Sequence, residues 1–108
     1  CTESEYKTEA KKHMQRIGNW TDTVELDTDA TVKSAKRDIE AILKDIRNMK
    51  CAKAYPLKQE TLEYSAIHSI RALDSWLDGD LSGFNDSMDS AILNAGWFND
   101  WSLDMERK

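Results

Sequence analysis

The sequence predicts an all-α protein that folds as an up-down-up-down four-helix bundle. Apolar residues recur three and four positions apart in four separate stretches, which is the spacing of amphipathic helices. One proline and four glycines in 108 residues leave little material for the many turns of an all-β fold. The connections between the stretches are short enough to make consecutive helices antiparallel neighbours. A three-helix core with a loosely docked first helix is the alternative, and either architecture forms one domain over residues 1–108.

The first helix is expected at residues 3–17. Gly18 can end it, or the helix continues through Trp20 and Val24, which keep the apolar spacing. Its buried stripe is predicted to contain Tyr6, Ala10, Met14 and Ile17.

The second helix is expected at residues 29–50 and has the most regular apolar pattern in the chain. Asp27 or Thr28 can cap its N-terminus by accepting a hydrogen bond from a free backbone N–H. The surrounding positions are mostly charged, so one face is expected to be buried and the others solvated. The predicted stripe contains Val32, Ala35, Ile39, Ile42, Ile46 and Met49.

The third and fourth helices are expected at residues 56–77 and 82–101, joined by a tight acidic turn. Pro56 suits the first position of a helix, where its missing N–H does no harm. Gly79 suits the left-handed residue that ends one. The predicted stripes contain Leu62, Ala66, Ile70, Leu73 and Leu77 on the third helix and Phe84, Met88, Ala91, Ala95 and Phe98 on the fourth.

The composition excludes several classes of function. A formal net charge of −5 argues against nucleic acid as a partner, because phosphates are bound by basic surfaces. No apolar run approaches the length of a membrane span. No phosphate-binding loop, nucleophile elbow or metal-binding ExxH pair is present, so the chain is predicted not to be an enzyme.

Cys1 and Cys51 are the only cysteines, and they do not form a zinc-ribbon or haem-attachment motif. Three interpretations of Cys1 are open: the boundary of an excised fragment, a disulfide with Cys51, or lipid attachment. A leading cysteine followed by polar residues resembles a mature bacterial lipoprotein, a class defined by processing and not by fold. The resemblance implies a thioether-linked lipid on Cys1, which excludes a disulfide at the same sulfur. It also implies a membrane-anchored protein outside the cytoplasm, periplasmic or on the cell surface.

The acidic turn fits the ligand positions of a twelve-residue calcium loop. Residues 78–89 read DGDLSGFNDSMD, with glycine at the sixth position, where such loops turn sharply. The segment resembles an EF-hand-type loop, with the twelfth residue as in the dockerin variant. The alternative is an ordinary turn in which Gly79 ends one helix and Ser82 caps the next. The candidate calcium ligands are Asp78, Asp80, Ser82, Phe84 through its carbonyl, Asp86 and Asp89.

The predicted topology sorts charged and aromatic residues to opposite ends of the bundle. One end is predicted to hold Cys1, the connection between the second and third helices, and the C-terminus. Tyr55, Trp97 and Trp101 fall at this end and form a candidate patch for a partner protein or for membrane headgroups. Alternatively, the tryptophans close the end of the bundle. The basic residues of this end are Lys50, Lys53, Lys58, Arg107 and Lys108, and the acidic residues of the other end are Asp22, Glu25, Asp27, Asp29, Asp78 and Asp80.

These observations favour a non-enzymatic, lipid-anchored helical module. Such a module binds another protein or serves as an accessory subunit of a bacterial envelope complex. A lipid on Cys1 anchors it to the membrane. One alternative is a small calcium-binding helical protein that uses residues 78–89, with calcium as its cofactor. The other is a soluble helical domain excised from a larger chain.

Overall fold

A computed structural model describes residues 1–23 and 25–101, and Val24 and residues 102–108 lie outside the described part. The predicted all-α, up-down-up-down bundle is confirmed, and the described residues contain no strand. Its four helices are α1 (Glu3–Thr23), α2 (Asp29–Arg47), α3 (Pro56–Leu77) and α4 (Leu81–Asn99).

At the end of α1 the alternative prediction, continuation through Trp20, is confirmed as far as Thr23, and the predicted end of α2 is wrong. Helix α1 continues past Gly18 because Trp20 is buried and extends the apolar stripe. Helix α2 ends at Arg47 and not at residue 50. There the side-chain amide of Asn48 donates to the carbonyl of Lys44 at 2.9 Å, which satisfies one carbonyl of the last turn. Helix α4 begins one residue earlier than expected and ends at Asn99.

Side chains near the N-termini of α1 and α2 satisfy free backbone N–H groups. Thr2 and Glu5 form a capping box: the Thr2 hydroxyl accepts from the Glu5 N–H at 3.1 Å, and the Glu5 carboxylate accepts from the Thr2 N–H at 3.1 Å. These hydrogen bonds lower the pKa of Glu5. Thr28 caps α2 by accepting from the Thr31 N–H at 3.2 Å, as one of the two predicted candidates.

The turn between α3 and α4 is built around one left-handed residue. Gly79 has a φ of +74°, a conformation that side chains with a Cβ rarely adopt. Asp80 then accepts a hydrogen bond from the Gly83 N–H at 2.9 Å and caps α4. Because so few residues join the two helices, α3 and α4 are forced to lie side by side.

The core is centred on α2, whose whole predicted stripe is buried. Ile39 and Ile46 have no exposed surface, and each such side chain contributes about 1.5–3 kcal/mol on burial. The predicted stripe of α1 is buried as well. On α3, Leu62, Ala66 and Leu73 are buried while Ile70 and Leu77 are half-buried. On α4, Ala91 and Phe98 are buried, and Phe84, Met88 and Ala95 are half-buried.

Helices α3 and α4 pack more closely than any other pair. Small side chains allow this approach, because Ser65, Ala72 and Ala91 are buried where larger residues would hold the helices apart. The Ser65 hydroxyl donates to the carbonyl oxygen of Ala91 at 3.3 Å across the interface. Helix α1 makes fewer close backbone approaches and carries the larger buried residues Tyr6 and Trp20.

A buried hydrogen-bond chain fixes α1 against its neighbours. The Tyr6 hydroxyl donates to Gln59 Oε1 at 3.0 Å, and the Gln59 amide donates to the carbonyl of Ile46 at 3.0 Å. This chain satisfies buried polar groups on α1, α2 and α3 at once. On the surface, Arg16 Nη1 lies 2.9 Å from Asp45 Oδ2, and this hydrogen bond lowers the pKa of Asp45.

Candidate functional site

In the described part of the chain, the two ends of the bundle carry the predicted opposite charges. The acidic residues at the α3–α4 turn and the α1–α2 connection are exposed, and Lys50 and Lys53 are exposed at the other end. Lys58 lies at the predicted end but is only 2 % exposed, so its ammonium group faces the protein and not solvent. Its Nζ atom donates to the carbonyl oxygen of Trp97 at 2.6 Å and to that of Asp100 at 2.8 Å. The predicted contributions of Arg107 and Lys108 lie outside the described residues.

Tyr55 and Trp101 belong to an aromatic cluster that closes the basic end of the bundle. The Tyr55 ring lies 5.1 Å from the ring of Tyr6, and the Trp101 ring lies 6.1 Å from it. The Trp101 ring also meets Phe98 edge-on at 5.7 Å. Such tilted pairs stabilise the folded chain beyond the area they bury. The structure therefore supports a packing role for Tyr55 and Trp101.

The indole of Trp101 also lies between two ammonium groups. Lys7 Nζ is 5.3 Å and Lys58 Nζ is 5.1 Å from its ring centroid, within the range of cation–π attraction. Trp97, in contrast, is 46 % exposed. The predicted patch of Tyr55, Trp97 and Trp101 is thus divided, and Trp97 alone presents a large apolar surface to solvent.

The acidic turn does not have the geometry of a calcium loop, because α4 begins at Leu81 and continues through the remaining positions. A calcium loop makes its oxygen atoms converge on one point, whereas a helix distributes successive side chains around its axis. Among residues 1–23 and 25–101, no group of three or more His, Cys, Asp or Glu side chains is arranged to hold a metal ion. The described conformation is that of the alternative, a helix turn, with Asp80 and not Ser82 as the cap: Ser82, Phe84, Asp86 and Asp89 lie on α4, and Asp78 lies in the turn.

Cys1 and Cys51 form a disulfide that joins the start of α1 to the connection between α2 and α3. The carboxylate of Glu9 accepts hydrogen bonds from the backbone N–H of Cys51 at 3.3 Å and from that of Lys50 at 3.4 Å. A sulfur atom bonded to another sulfur cannot also carry a thioether-linked lipid. The structure therefore supports the disulfide interpretation and gives lipid attachment at Cys1 no support.

Most of the exposed large hydrophobic side chains among the described residues lie on α4. In the described part of the chain, every exposed large hydrophobic side chain lies on α3 or α4. Ile92 is 62 % and Leu93 is 52 % exposed, and they stand one helical turn before Gly96 and Trp97. Residues four apart share a helix face, so these four residues form one continuous surface. We call Ile92, Leu93, Gly96 and Trp97 the α4 patch.

Two hydrogen bonds set the register between α3 and α4. Lys58 reaches the carbonyl of Trp97, and Ser65 reaches the carbonyl of Ala91. Residues near the start of α3 therefore lie level with the end of α4, as expected of antiparallel helices.

This register places two exposed residues of α3 beside the α4 patch. Leu57 and Tyr64 each precede a residue that bonds to α4, and both are about two-fifths exposed, at 43 % and 42 %. They are seven residues apart and so share one side of α3. By this register Leu57 lies level with the last turn of α4, and Tyr64 lies level with the turn that contains Ala91 and Ile92. The apolar surface thus spans both helices.

A groove of about 420 Å³ continues this surface on the far side of Tyr64. Arg47 and Glu63 form an ion pair at 3.3 Å along its length. The groove gives the apolar surface a polar border, which is the usual arrangement of a protein-binding site. Its walls are formed by Arg47, Ala52, Lys53, Pro56, Gln59, Glu60, Glu63, Tyr64 and Ile67.

The two histidines lie on different helices, and the pKa of each is lowered. His13 lies on α1, where its Nδ1 is 3.1 Å from Nη1 of Arg16. Burial lowers the pKa of His13, and the positive charge of Arg16 lowers it further. His68 lies on α3 beside Tyr64. Burial lowers the pKa of His68, and the positive charge of Arg71 lowers it further.

Sequence reasoning missed Ile92, Leu93 and Gly96 as members of a surface site. The signal was present, because Ile92, Leu93 and Trp97 lie outside the apolar stripe through Ala91, Ala95 and Phe98. A helix with apolar residues on several faces needs more than one neighbour or exposes the excess.

None of the described helices is both long enough and apolar enough to cross a membrane. No protein-family model, curated protein or solved structure matches this chain. The fold and site define an all-α four-helix bundle with an exposed apolar surface on one helix pair.

Proposed function

We propose that this protein is a non-enzymatic binding module that serves as a subunit of a protein complex outside the cytoplasm, as in a bacterial envelope. The observation that carries the proposal is the α4 patch with its neighbours Leu57 and Tyr64. Monomeric proteins seldom expose contiguous apolar surface of this kind unless it binds something. Large aromatic and aliphatic side chains with a polar border are typical of a protein interface.

The charge pattern supports the same helix pair as the binding surface. The exposed side of α2 carries Lys33, Arg37, Asp38 and Glu40, which keep that side in water. Helix α4, in contrast, buries only Ala91, Asn94 and Phe98. An apolar helix that the bundle covers so incompletely gains stability when a partner covers it.

The Cys1–Cys51 disulfide supports a location outside the cytoplasm. Disulfides persist in the periplasm and on cell surfaces and are rare in the reducing cytoplasm. The proposal contains no lipid anchor, because the sulfur of Cys1 that would carry it is bonded to Cys51. It contains no calcium, because the acidic turn is followed at once by a helix.

Site-specific photo-crosslinking in the native host tests this proposal. A crosslinking residue in place of Leu93 should give a covalent product with a second chain, identified by mass spectrometry. The matched control carries the same residue in place of Arg37, which is exposed on α2. The proposal is contradicted if the two positions give equally little product.

A further inference from the structure

We infer that α4 binds an amphipathic helix of another protein, antiparallel to α4, whose apolar residues cover the α4 patch and whose lysine or arginine residues face Asp86 and Asp89. This inference rests on the proposed function, because it names the kind of partner that the same surface takes. An amphipathic helix presents apolar residues three, four and seven positions apart and lays them on a complementary apolar surface. The exposed side of α4 combines such a surface with a localised negative charge.

The exposed side of α4 is one continuous stripe with two different halves. Asp86, Asp89, Leu93 and Gly96 follow one another at spacings of three, four and three residues, and all four are exposed. Trp97 follows Leu93 by four residues and is exposed as well. These spacings place the residues along one face of the helix. The first half of the stripe is acidic and the second half is apolar, and about 17 Å of helix separate its ends.

The acidic half has no cation of its own. Helix α4 contains the carboxylates of Asp86 and Asp89 and no lysine, arginine or histidine. Within residues 1–23 and 25–101 neither carboxylate forms an ion pair, although Arg71 is exposed on α3, whereas three carboxylates on α2 and α3 each pair with a lysine or arginine. Asp78 and Asp80 of the preceding turn are exposed and add charge of the same sign. A partner that brings cations to this half is attracted, and an acidic partner is repelled.

The apolar half supplies the affinity. Ile92 and Leu93 are more than half exposed, and covering them removes apolar surface from water. A Cβ placed on Gly96 would meet no atom within 4 Å, so the backbone of α4 is open there. Small residues let two helices approach closely. A partner helix can therefore lie against α4 at Gly96, with Leu57 and Tyr64 of α3 beside it.

The helix dipole favours the antiparallel direction. The C-terminal end of a helix carries partial negative charge and is stabilised by lysine and arginine in its last turns. A partner helix antiparallel to α4 places its last turns over Asp86 and Asp89, so the same cations serve both purposes. In the parallel direction they would have to stand in the first turns, where the dipole disfavours them. The expected partner segment therefore has apolar residues first and basic residues last.

The same carboxylates disfavour two other occupants of this surface. An anionic lipid surface attracts basic segments and repels acidic ones. The α4 helix of a second copy brings two further carboxylates and no cation. A basic amphipathic helix of another protein is the occupant that satisfies both halves of the stripe.

A synthetic helix tests the inference by fluorescence anisotropy with the oxidised chain. The peptide has about 20 residues, since shorter helices are marginal in isolation. It carries leucines three and four positions apart, lysines in its last two turns, and alanine and glutamine elsewhere. The parent should bind it, and the affinity should fall as the salt rises from about 0.05 to 0.5 M, because salt screens the charges. A peptide with glutamates in place of the lysines should bind at least tenfold more weakly, and one with the lysines in its first two turns should also bind more weakly.

Charge reversal on α4 tests the acidic half. Asp86→Lys/Asp89→Lys should weaken binding of the lysine peptide at least tenfold at low salt and should strengthen binding of the glutamate peptide. Asp38→Lys/Glu40→Lys is the matched control, because it makes the same change in net charge on the exposed side of α2. The control should change the affinity for the lysine peptide by less than about threefold, since separated exposed charges are screened.

A serine substitution tests the apolar half. Leu93→Ser should weaken binding of the lysine peptide at least tenfold, because Leu93 lies at the centre of the α4 patch. Leu81→Ser is the matched control, since Leu81 is also an exposed leucine of α4 but precedes the acidic half. All four variants should melt close to the parent midpoint, because every changed side chain is exposed.

A parent that does not distinguish the lysine peptide from the glutamate peptide or from the peptide with lysines in its first turns overturns the inference. So does an α4 charge reversal that behaves like its α2 control. Binding of the parent to anionic vesicles, or self-association, that Leu93→Ser abolishes would also overturn it, because another occupant then takes the surface. If Leu93 crosslinks in the host to a segment that is not a basic amphipathic helix, the inference fails while the proposed function stands. If Leu93 gives no product above the Arg37 control, both fail.

Discussion

The ammonium group of Lys58 donates a hydrogen bond to the backbone carbonyl of Trp97 at 2.6 Å, and this contact joins the first turn of α3 to the last turn of α4. The final carbonyls of a helix have no partner within the helix. A cation is well suited to satisfy them, because the C-terminal end of a helix carries partial negative charge. The buried lysine therefore acts as a tertiary cap for α4.

Replacing this ammonium group should weaken the bundle. Lys58→Met keeps an unbranched apolar side chain but removes the donor, and we expect the free energy of unfolding to fall by about 1–3 kcal/mol. Urea denaturation measures the change. Lys53→Met is the control, because Lys53 is exposed and its loss should change stability by less than about 0.5 kcal/mol. Equal effects from the two variants would show that the cap contributes nothing.

Loss of the Cys1–Cys51 disulfide should destabilise the chain by a larger amount. The bond closes a sequence separation of 50 residues, and loop entropy in the unfolded chain gives about 4 kcal/mol for a loop of that length. The comparison is between the oxidised parent and Cys1→Ser/Cys51→Ser in urea. Mass spectrometry of protein extracted from the native host should show the chain two hydrogens lighter than its reduced form. A diacylglyceryl adduct on Cys1 would refute the disulfide in the native protein.

Gly83 and Gly18 should respond to alanine in opposite directions. A Cβ on Gly83 would overlap the carboxylate of Asp80 and displace it from its capping position, so Gly83→Ala should lose about 1 kcal/mol. Gly18→Ala has open space in α1 and should gain about 0.5–1 kcal/mol. Thermal melts at matched concentration measure both, and a stabilised Gly83→Ala would contradict the described cap.

Calcium should not stabilise this protein specifically. Thermal melts in millimolar calcium, magnesium and chelator at equal ionic strength should coincide, because the aspartates of the turn and of α4 do not converge on one point. Asp78→Asn/Asp89→Asn should behave like the parent in this comparison. If calcium alone raised the midpoint and the double variant lost that rise, the described helix start at Leu81 could not represent the calcium-bound protein.

The sequence predicts the elements whose signals are local. Helix α2 follows from an uninterrupted apolar spacing, and the α3–α4 turn follows from Gly79, which supplies the left-handed conformation. Thr2 and Glu5 had the spacing of a capping box, which could have been recognised from the sequence.

The remaining errors concern contacts between residues that are distant in the chain. Lysine side chains are usually exposed, so the residue type of Lys58 does not predict that it is buried. Its burial depends on the position of the end of α4, where backbone carbonyls accept hydrogen bonds from its ammonium group. The spacing of the aspartates in residues 78–89 fits both a calcium loop and a capped helix, and packing of α4 against α3 decides between them. The choice between a disulfide and a lipid at Cys1 depends on whether α1 brings Cys1 to Cys51, which no local pattern specifies.

The close packing of α3 against α4 has a consequence for the order of folding. Their contacts are local in sequence, and closing so short a loop costs little entropy, so we expect this hairpin to form early. Helix α1 must instead reach across the chain before Cys1 meets Cys51. Oxidation should therefore follow docking of α1 and lock a nearly complete bundle. Quenching refolding with a thiol-alkylating reagent would show helical chains with free thiols at early times if this order is correct.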